Sequence, residues 1–305
     1  MIVMVWLLHL PRAKSSKQDV AEPGTAPRPV RCAEAAEPQI PAFAVSAPVL
    51  TAGQLDDAHS SGPESPQVLL RRWAEKEPAS AAAWAAQVTG RFRGEALEQV
   101  AIAWADLDLR AACQWVGSLP EDSGKEPAVL GVANEAARID PQTALELAGS
   151  LPPSQARDNA LVHAISQWTA IDASGAAAWA SSVDDSNLRE RLVSGIAIAT
   201  AVQDPATAAS QVASLPAGSE QSRAAVAVVQ RWALSAPQAA AAWVLLFPDG
   251  PVRTAAAENL LAIWAAQDPQ AAGQWLQQLP QGPLLQAASS GLAQGLRARG
   301  QGPLD

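Results

Sequence analysis

The sequence predicts an all-α fold: a right-handed α-solenoid of seven helical hairpins of about 32 residues each, closed by a C-terminal capping helix and preceded by a disordered Pro/Ala-rich linker. Three observations predict it. The first is a fixed period. Take the clearest copy, Trp264-Ala-Ala-Gln-Asp268-Pro269 through Leu279-Pro280, and let Pro269 be its anchor. The equivalent positions are Pro78, Leu109, Pro141, Ala173, Pro205, Pro237 and Pro269, separated by one step of 31 residues and then five of 32. The second is the register of the tryptophans. Five residues before the anchor stand Trp73, Trp104, Ala136, Trp168, Thr200, Trp232 and Trp264. Six residues after it stand Trp84, Trp115, Leu147, Trp179, Gln211, Trp243 and Trp275, so ten of the eleven Trp fall in two columns. The third is a column without exceptions three residues past the anchor: Ala81, Ala112, Ala144, Ala176, Ala208, Ala240 and Ala272. A position that admits only a methyl group marks two helix backbones in close approach.

Each hairpin follows from local rules. In the first helix of a copy, apolar residues recur at the spacing of an amphipathic stripe, as in Leu97, Val100, Ala101 and Trp104, or Leu161, Ala164, Ile165 and Trp168. An Asp-Pro step ends it, because the residue before proline is pushed out of helical dihedrals. The same step opens the second helix, with Asp as N-cap and Pro at the first helical position. Asp140-Pro141, Asp204-Pro205 and Asp268-Pro269 are full examples. The second helix runs about ten residues to a Leu-Pro stop, as at Leu119-Pro120, Leu151-Pro152, Leu215-Pro216 and Leu279-Pro280. A polar turn follows, often with a basic residue six past that leucine position: Lys125, Arg157, Arg189 and Arg253. The repeat domain spans 66–299, and its last stretch, Pro283 to Arg299, is more polar, as a cap should be. The indoles are expected inside, as packing between successive hairpins. Copies three and five, which carry Ala136, Leu147, Thr200 and Gln211 in their place, are expected to be weaker.

Upstream, 19–65 reads as a disordered linker, interrupted by Pro23, Pro27, Pro29, Pro38, Pro41, Pro48 and Pro63. Residues 1–18 begin with an apolar run, Met1 to Leu10, that is too short for a membrane span. Two readings stand there: the tail of an anchor or signal whose start lies upstream of Met1, giving N-terminal membrane association, or a frayed terminus. Residues 300–305 read as a disordered tail. The compartment stays open between a membrane-anchored or exported bacterial envelope protein and a cytoplasmic one.

Composition narrows the function classes. Among 305 residues, 21 Lys and Arg oppose 30 Asp and Glu, a net charge of −9, which argues against nucleic acid as a partner. Two cysteines cannot staple a chain of this size. No phosphate-binding glycine loop and no metal-ligand spacing occurs, so neither cofactor nor metal is expected. His163 reads as a plain helix-face residue and Cys113 as small core packing. The acid pairs Asp56-Asp57, Glu121-Asp122 and Asp184-Asp185 read as linker or turn residues. Arg71, Arg72, Lys76, Arg91 and Arg93 form a basic cluster that is either a solvated face or a contact for an acidic partner. The Trp columns could line a groove, but their place on the apolar stripe favours the core.

On the strength of these Trp, Ala and Asp-Pro positions, residues 66–299 resemble the tetratricopeptide-like superfamily of helical repeats, with half-a-TPR repeats nearest, and still more the Trp-containing bacterial repeats of no assigned activity. The period is shorter than the tetratricopeptide one, the Leu-Gly and Tyr of that motif's first helix are missing, and the Asp-Pro step is foreign to it. The resemblance implies a binding scaffold and supplies no catalytic residues. The expected function is therefore non-enzymatic: a monomeric scaffold that binds a protein or peptide on its concave face. The expected contacts are repeat-variable positions such as Arg110, Gln114, Gln142, Glu146, Gln238, Gln270, Gln274 and Gln278. The alternatives are a helical-toroid enzyme around an acidic cleft and a cell-envelope spacer.

Overall fold

A computed structural model describes residues 66–122 and 124–300, which form fifteen α-helices and no strand. The segments read above as N-terminal apolar stretch and linker lie outside the described residues, as do 301–305. Gly300, read above as the first residue of the tail, still belongs to the last helix.

The helices alternate in length as the repeat requires. They are α1 Pro66–Ala74, α2 Pro78–Ala85, α3 Arg93–Leu107, α4 Leu109–Ser118, α5 Lys125–Ile139, α6 Pro141–Gly149, α7 Gln155–Ile171 and α8 Ala173–Ser181. Then follow α9 Ser186–Thr200, α10 Pro205–Ser214, α11 Ser219–Ser235, α12 Pro237–Leu245, α13 Pro251–Gln267, α14 Pro269–Leu276 and α15 Pro283–Gly300. The described residues fall into two compact units, 66–168 and 169–300. In the first, long helices pack on long ones, α1 on α3 and α3 on α5, while α2 and α4 each touch the long helix before and the one after. In the second, α9 packs on α11, α11 on α13 and α13 on α15, with α10, α12 and α14 bridging in the same way.

The side-chain bonds between long helices show that neighbours run parallel. In the first unit Gln67 donates to Glu95 near the helix starts, and Arg138 meets Asp106 at 3.0 Å near the ends. In the second, Arg223 donates to Ser194 at 3.1 Å, Gln230 to Asn259 at 2.6 Å and Ser290 to Glu258 at 3.0 Å. These bonds span 28 to 32 residues, close to one sequence period, at both ends and in the middle of the helices.

The capping device is present and separable into its two parts. Asp108, Asp140, Asp172, Asp204 and Asp268 each accept a backbone N–H from the residue three further on. Asp108 and Asp172 cap without a following proline, since Leu109 and Ala173 stand there. Conversely, Pro78 and Pro237 open helices whose N-cap residues, Glu77 and Ala236, make no side-chain bond. The cap satisfies orphan N–H groups, and proline presets the first helical dihedral. Either suffices to start the short helix.

All seven alanines of the invariant column have no exposed surface. With them are buried the aliphatic stripes of the long helices, among them Leu97 and Val100 in the first unit and Val228, Val229, Leu260 and Leu261 in the second.

The last helix packs closely on its neighbour. It lies so close to α13 that a Cβ on Gly291 would sit 2.0 Å from the Glu258 carbonyl oxygen, and one on Gly295 would sit 2.4 Å from that of Ala262. Only a residue without a side chain fits against backbone at that distance. Among the described residues, no helix is long and apolar enough to cross a membrane. Gly291→Val should lower stability by about 1–3 kcal/mol or more, as overpacking does. Ala293→Val, on the exposed side of the same helix, should cost a few tenths, mostly through β-branching; urea denaturation of the full chain measures both.

Candidate functional site

The tryptophans pair within a hairpin rather than between hairpins. Ring centroids lie 6.1 Å apart for Trp73 and Trp84, 5.6 Å for Trp104 and Trp115, 5.9 Å for Trp232 and Trp243, and 6.2 Å for Trp264 and Trp275. These are favourable aromatic separations. Trp232, Trp243 and Trp264 are buried, while Trp73, Trp84, Trp104, Trp115, Trp168, Trp179 and Trp275 are half-buried and keep one edge at the surface. The geometry has a simple cause. The position before the cap and the position after it are eleven residues apart across a tight turn, so they face each other over the two helices they close.

The two copies that lack the complete pair differ in kind. Copy three substitutes two apolar residues, Ala136 and Leu147, and both are buried. Copy five substitutes Thr200 and Gln211, whose Oγ1 and Oε1 are buried without a hydrogen-bond partner. Such groups cost on the order of 1–3 kcal/mol each when left unsatisfied.

The five residues of the basic cluster have different partners. Arg71, Arg72 and Lys76 are exposed on and just after α1, with Arg71 3.8 Å from Glu75. Arg91 lies over the ring of Phe92 at 4.6 Å. Arg93 turns inward and holds the preceding turn. It donates to the carbonyls of Ala86 at 2.7 Å and Val88 at 3.0 Å, and forms an ion pair with Asp122 at 2.9 Å. That position recurs one period apart as Lys125, Arg157, Arg189, Gln221 and Arg253. Arg189 donates to the Val183 carbonyl at 2.7 Å, and Gln221 donates to the carbonyls of Val212 and Leu215. These residues bind carbonyls at the C-terminal end of the short helix behind them or in the turn just past it, the end where a cation is also favoured by the helix dipole.

One surface cavity stands out in the second unit, with a volume of about 180 Å³. Trp243 and Phe247 form its buried floor, Val212, Ala225 and Val252 its apolar walls, and Gln221 part of its rim. It forms at the copy where glutamine replaces the longer basic side chain and where Phe247-Pro248 replaces Leu-Pro. The only carboxylate lining it is that of Asp249, which is almost wholly solvent-exposed and paired with Arg253. Of the repeat-variable positions expected to contact a partner, Arg110, Glu146, Gln238, Gln270, Gln274 and Gln278 are exposed, and Gln114 and Gln142 are half-buried.

The remaining candidates carry little chemistry. His163 is exposed and Cys113 is buried. Asp185 caps α9 by accepting from Asn187 and Leu188, whereas Asp56 and Asp57 lie outside the described residues. Glu98 has its carboxyl raised, first by burial and then by Glu95. Among the described residues, no group of His, Cys, Asp and Glu is placed to hold a metal ion.

Several carboxyls are held below the usual range. The Arg93 guanidinium, then the Gly124 N–H, lower Asp122. The Gly175 N–H, then the Ser174 hydroxyl, lower Asp172. The Thr207 hydroxyl and N–H lower Asp204. A carboxyl lowered in the folded state adds stability above its unfolded value, about 4, and that stability is lost as pH falls through the folded value. The melting temperature of the wild type should therefore drop between pH 5 and pH 3 more than that of Asp172→Asn/Asp204→Asn, because Asn caps nearly as well but does not titrate. Scanning calorimetry at the two pH values checks it. The chain matches no known family model, no curated protein and no solved structure.

Proposed function

We propose that the protein is a non-enzymatic helical-repeat scaffold that binds a protein or peptide. In this reading residues 66–299 form a right-handed solenoid of seven hairpins closed by α15. The unbroken sequence period, the parallel packing of long helices inside each unit and the bridging short helices support it. The observation that carries the binding function is the apolar cavity floored by Trp243 and Phe247. Its volume of about 180 Å³ is that of a single large side chain, in the range where an apolar cavity of about 150 Å³ takes a benzene-sized guest. Its rim of Gln221, Ser222 and Asp249 supplies the few polar groups that orient such a guest. The half-buried indoles reinforce the framework around it, and the exposed glutamines of the short helices vary from copy to copy as contact positions do.

Selection of random peptides against the full chain should enrich sequences that share one aromatic or large aliphatic anchor. Ser222→Trp, which fills the mouth of the cavity, should weaken their binding about tenfold or more, as loss of an anchor residue does, with the circular dichroism spectrum unchanged. Failure to enrich any peptide, or equal binding by the variant, would remove this reading.

A further inference from the structure

Copy six, formed by α11 and α12, breaks the repeat at five positions. Twelve residues before the anchor, copies two to five carry Leu97, Val129, Leu161 and Val193, where copy six has Ala225. Sixteen before it, Arg93, Lys125, Arg157, Arg189 and Arg253 give way to Gln221. Copy seven also has alanine at the first of these positions, Ala257, but it keeps the arginine. Ten after the anchor every other copy has Leu or Val, and copy six has Phe247. Ala225, Gln221 and Phe247 all line the cavity. The short side chain of Ala225 opens it, and the ring of Phe247, 4.8 Å from that of Trp243 in an edge-to-face pair, gives it an aromatic floor.

The other two departures adjoin that floor in the chain. Eight and nine residues after the anchor, the remaining copies carry only Ala, Gly, Ser or Gln, and copy six carries Leu245 and Leu246. In copies two to five the second of these positions is a serine, Ser118, Ser150, Ser182 or Ser214, that donates to a carbonyl of the last helical turn. Copy six gives up that bond for a leucine. Leu245 and Leu246 are 41% and 49% exposed, and Leu246 stands one turn past Trp243 and next to Phe247. Local rules broken together, at one place, mark a site and not a core.

The side-chain groups on the rim are acceptors. Gln221 spends both amide hydrogens, on the carbonyls of Val212 at 3.2 Å and Leu215 at 3.0 Å, which fixes the amide with its nitrogen toward them. Its Oε1 receives no donor among the described residues. Ser222 gives its hydrogen to the Gly218 carbonyl at 2.8 Å, so its Oγ is left to accept. Pro248 and Pro251, also lining the cavity, have no N–H to offer.

We propose that the cavity is a tryptophan pocket. It takes the indole of a tryptophan carried by a partner peptide, Gln221 Oε1 accepts the indole N–H, and Leu245 and Leu246 receive the aliphatic residues on either side. This names the anchor of the scaffold reading and rests on that reading. An apolar cavity of about 150 Å³ takes benzene, and about 180 Å³ with an open mouth admits a second, fused ring. The choice of ring follows from where each carries its hydrogen. Indole has its N–H on the five-membered ring, beside the point of attachment, so the group stays at the rim when the six-membered ring reaches the floor. A phenol carries its O–H at the far tip, which would be driven against Phe247 and Val212 and stripped of water. Phenylalanine and leucine fill the floor but cover Gln221 Oε1 without satisfying it.

The probe is a short labelled peptide with Leu-Trp-Leu at its centre in a Gly/Ser background, and its binding to the full chain is followed by fluorescence anisotropy. Ring-nitrogen-methylated tryptophan or naphthylalanine in place of Trp keeps the shape and removes the donor, and should weaken binding about fivefold, the share of one hydrogen bond. Tyrosine should weaken it further. Ala225→Leu, which restores the period, should leave the circular dichroism spectrum unchanged and weaken binding about tenfold or more, as loss of an anchor does. Gln221→Arg restores the residue of the other copies and removes the acceptor, so Trp and methylated-Trp peptides should bind it alike. Leu245→Ser/Leu246→Ser should weaken the Leu-Trp-Leu peptide severalfold and leave a Ser-Trp-Ser peptide unaffected. Equal binding of the Trp and methylated-Trp peptides by wild type, or unchanged binding by Ala225→Leu, overturns the proposal. Should the Trp probe fail while selected peptides with another anchor bind and Ser222→Trp blocks them, the scaffold reading stands and the tryptophan pocket falls. If no peptide binds, both fall. Trp6→Ala that raises the affinity of the full chain for the probe would assign the pocket to the chain's own apolar run, Met1 to Leu10, and would overturn the assignment to a partner.

Discussion

The approach of each short helix to its long partner turns on one methyl group. Ala81, Ala112, Ala144, Ala176, Ala208, Ala240 and Ala272 are all sealed from solvent, and each sits one turn before the second Trp position of its copy. A larger side chain there would push the two helix axes apart and separate the rings that meet beyond it. With the methyl in place, the indoles of a hairpin come within 5.6–6.2 Å of each other in the four pairs measured. The rigid turn between the helices contributes in the same sense. The aspartate cap fixes the entry of the short helix, and at Arg93, Arg189 and Gln221 the first turns of the next long helix grip its exit. Start, middle and end of the short helix are thus held by different kinds of force: charge-assisted hydrogen bonding, close packing, and donation to terminal carbonyls.

Much of this was legible in the sequence, for identifiable reasons. The alanine column and the Asp-Pro step are local rules, and local rules survive folding: five aspartates cap where the pattern places them. The destination of the indoles was less legible. An apolar stripe says which face of a helix is dry, but not which neighbour dries it. Trp232 and Trp243 could equally have met other hairpins until the turn between them was known. Arg93 shows the same limit. Its place in a run of basic residues suggested a charged face, whereas its side chain reaches backward to Ala86 and Val88. The signal that could have revealed it was the recurrence of Arg93 one period before Lys125, Arg157 and Arg189. Leu245 and Leu246 were visible as letters, but they merge with the apolar run that ends in Phe247, and only their exposure separates them from it. The cavity had no periodic signal at all, since it arises where Gln221 and Phe247 break the period.

The degenerate copies show how a repeat absorbs change. Copy three keeps an apolar filling, Ala136 and Leu147, and buries Thr143 through a second bond from its hydroxyl to the capping Asp140. Copy five puts two polar side chains into the same place and leaves an atom of each unpaired. The first substitution loses volume but stays apolar; the second adds a desolvation cost that its neighbours must offset through their own packing. Since each hairpin in a repeat array touches only adjacent elements, such a cost stays local and does not spread through the unit.

The glycines of α15 have a bearing on assembly. Gly291 and Gly295 let this helix press on α13 more closely than a side chain allows, while Gln286, Ser289, Ala293 and Arg297 are exposed to water. A chain that stacks like on like has an inherent tendency to grow into filaments, because every finished layer offers the next a sticky platform. Here α15 spends its complementarity on α13 and shows mostly polar side chains to water. A second copy of the unit finds little apolar surface to stack on there, so self-association through this helix is disfavoured.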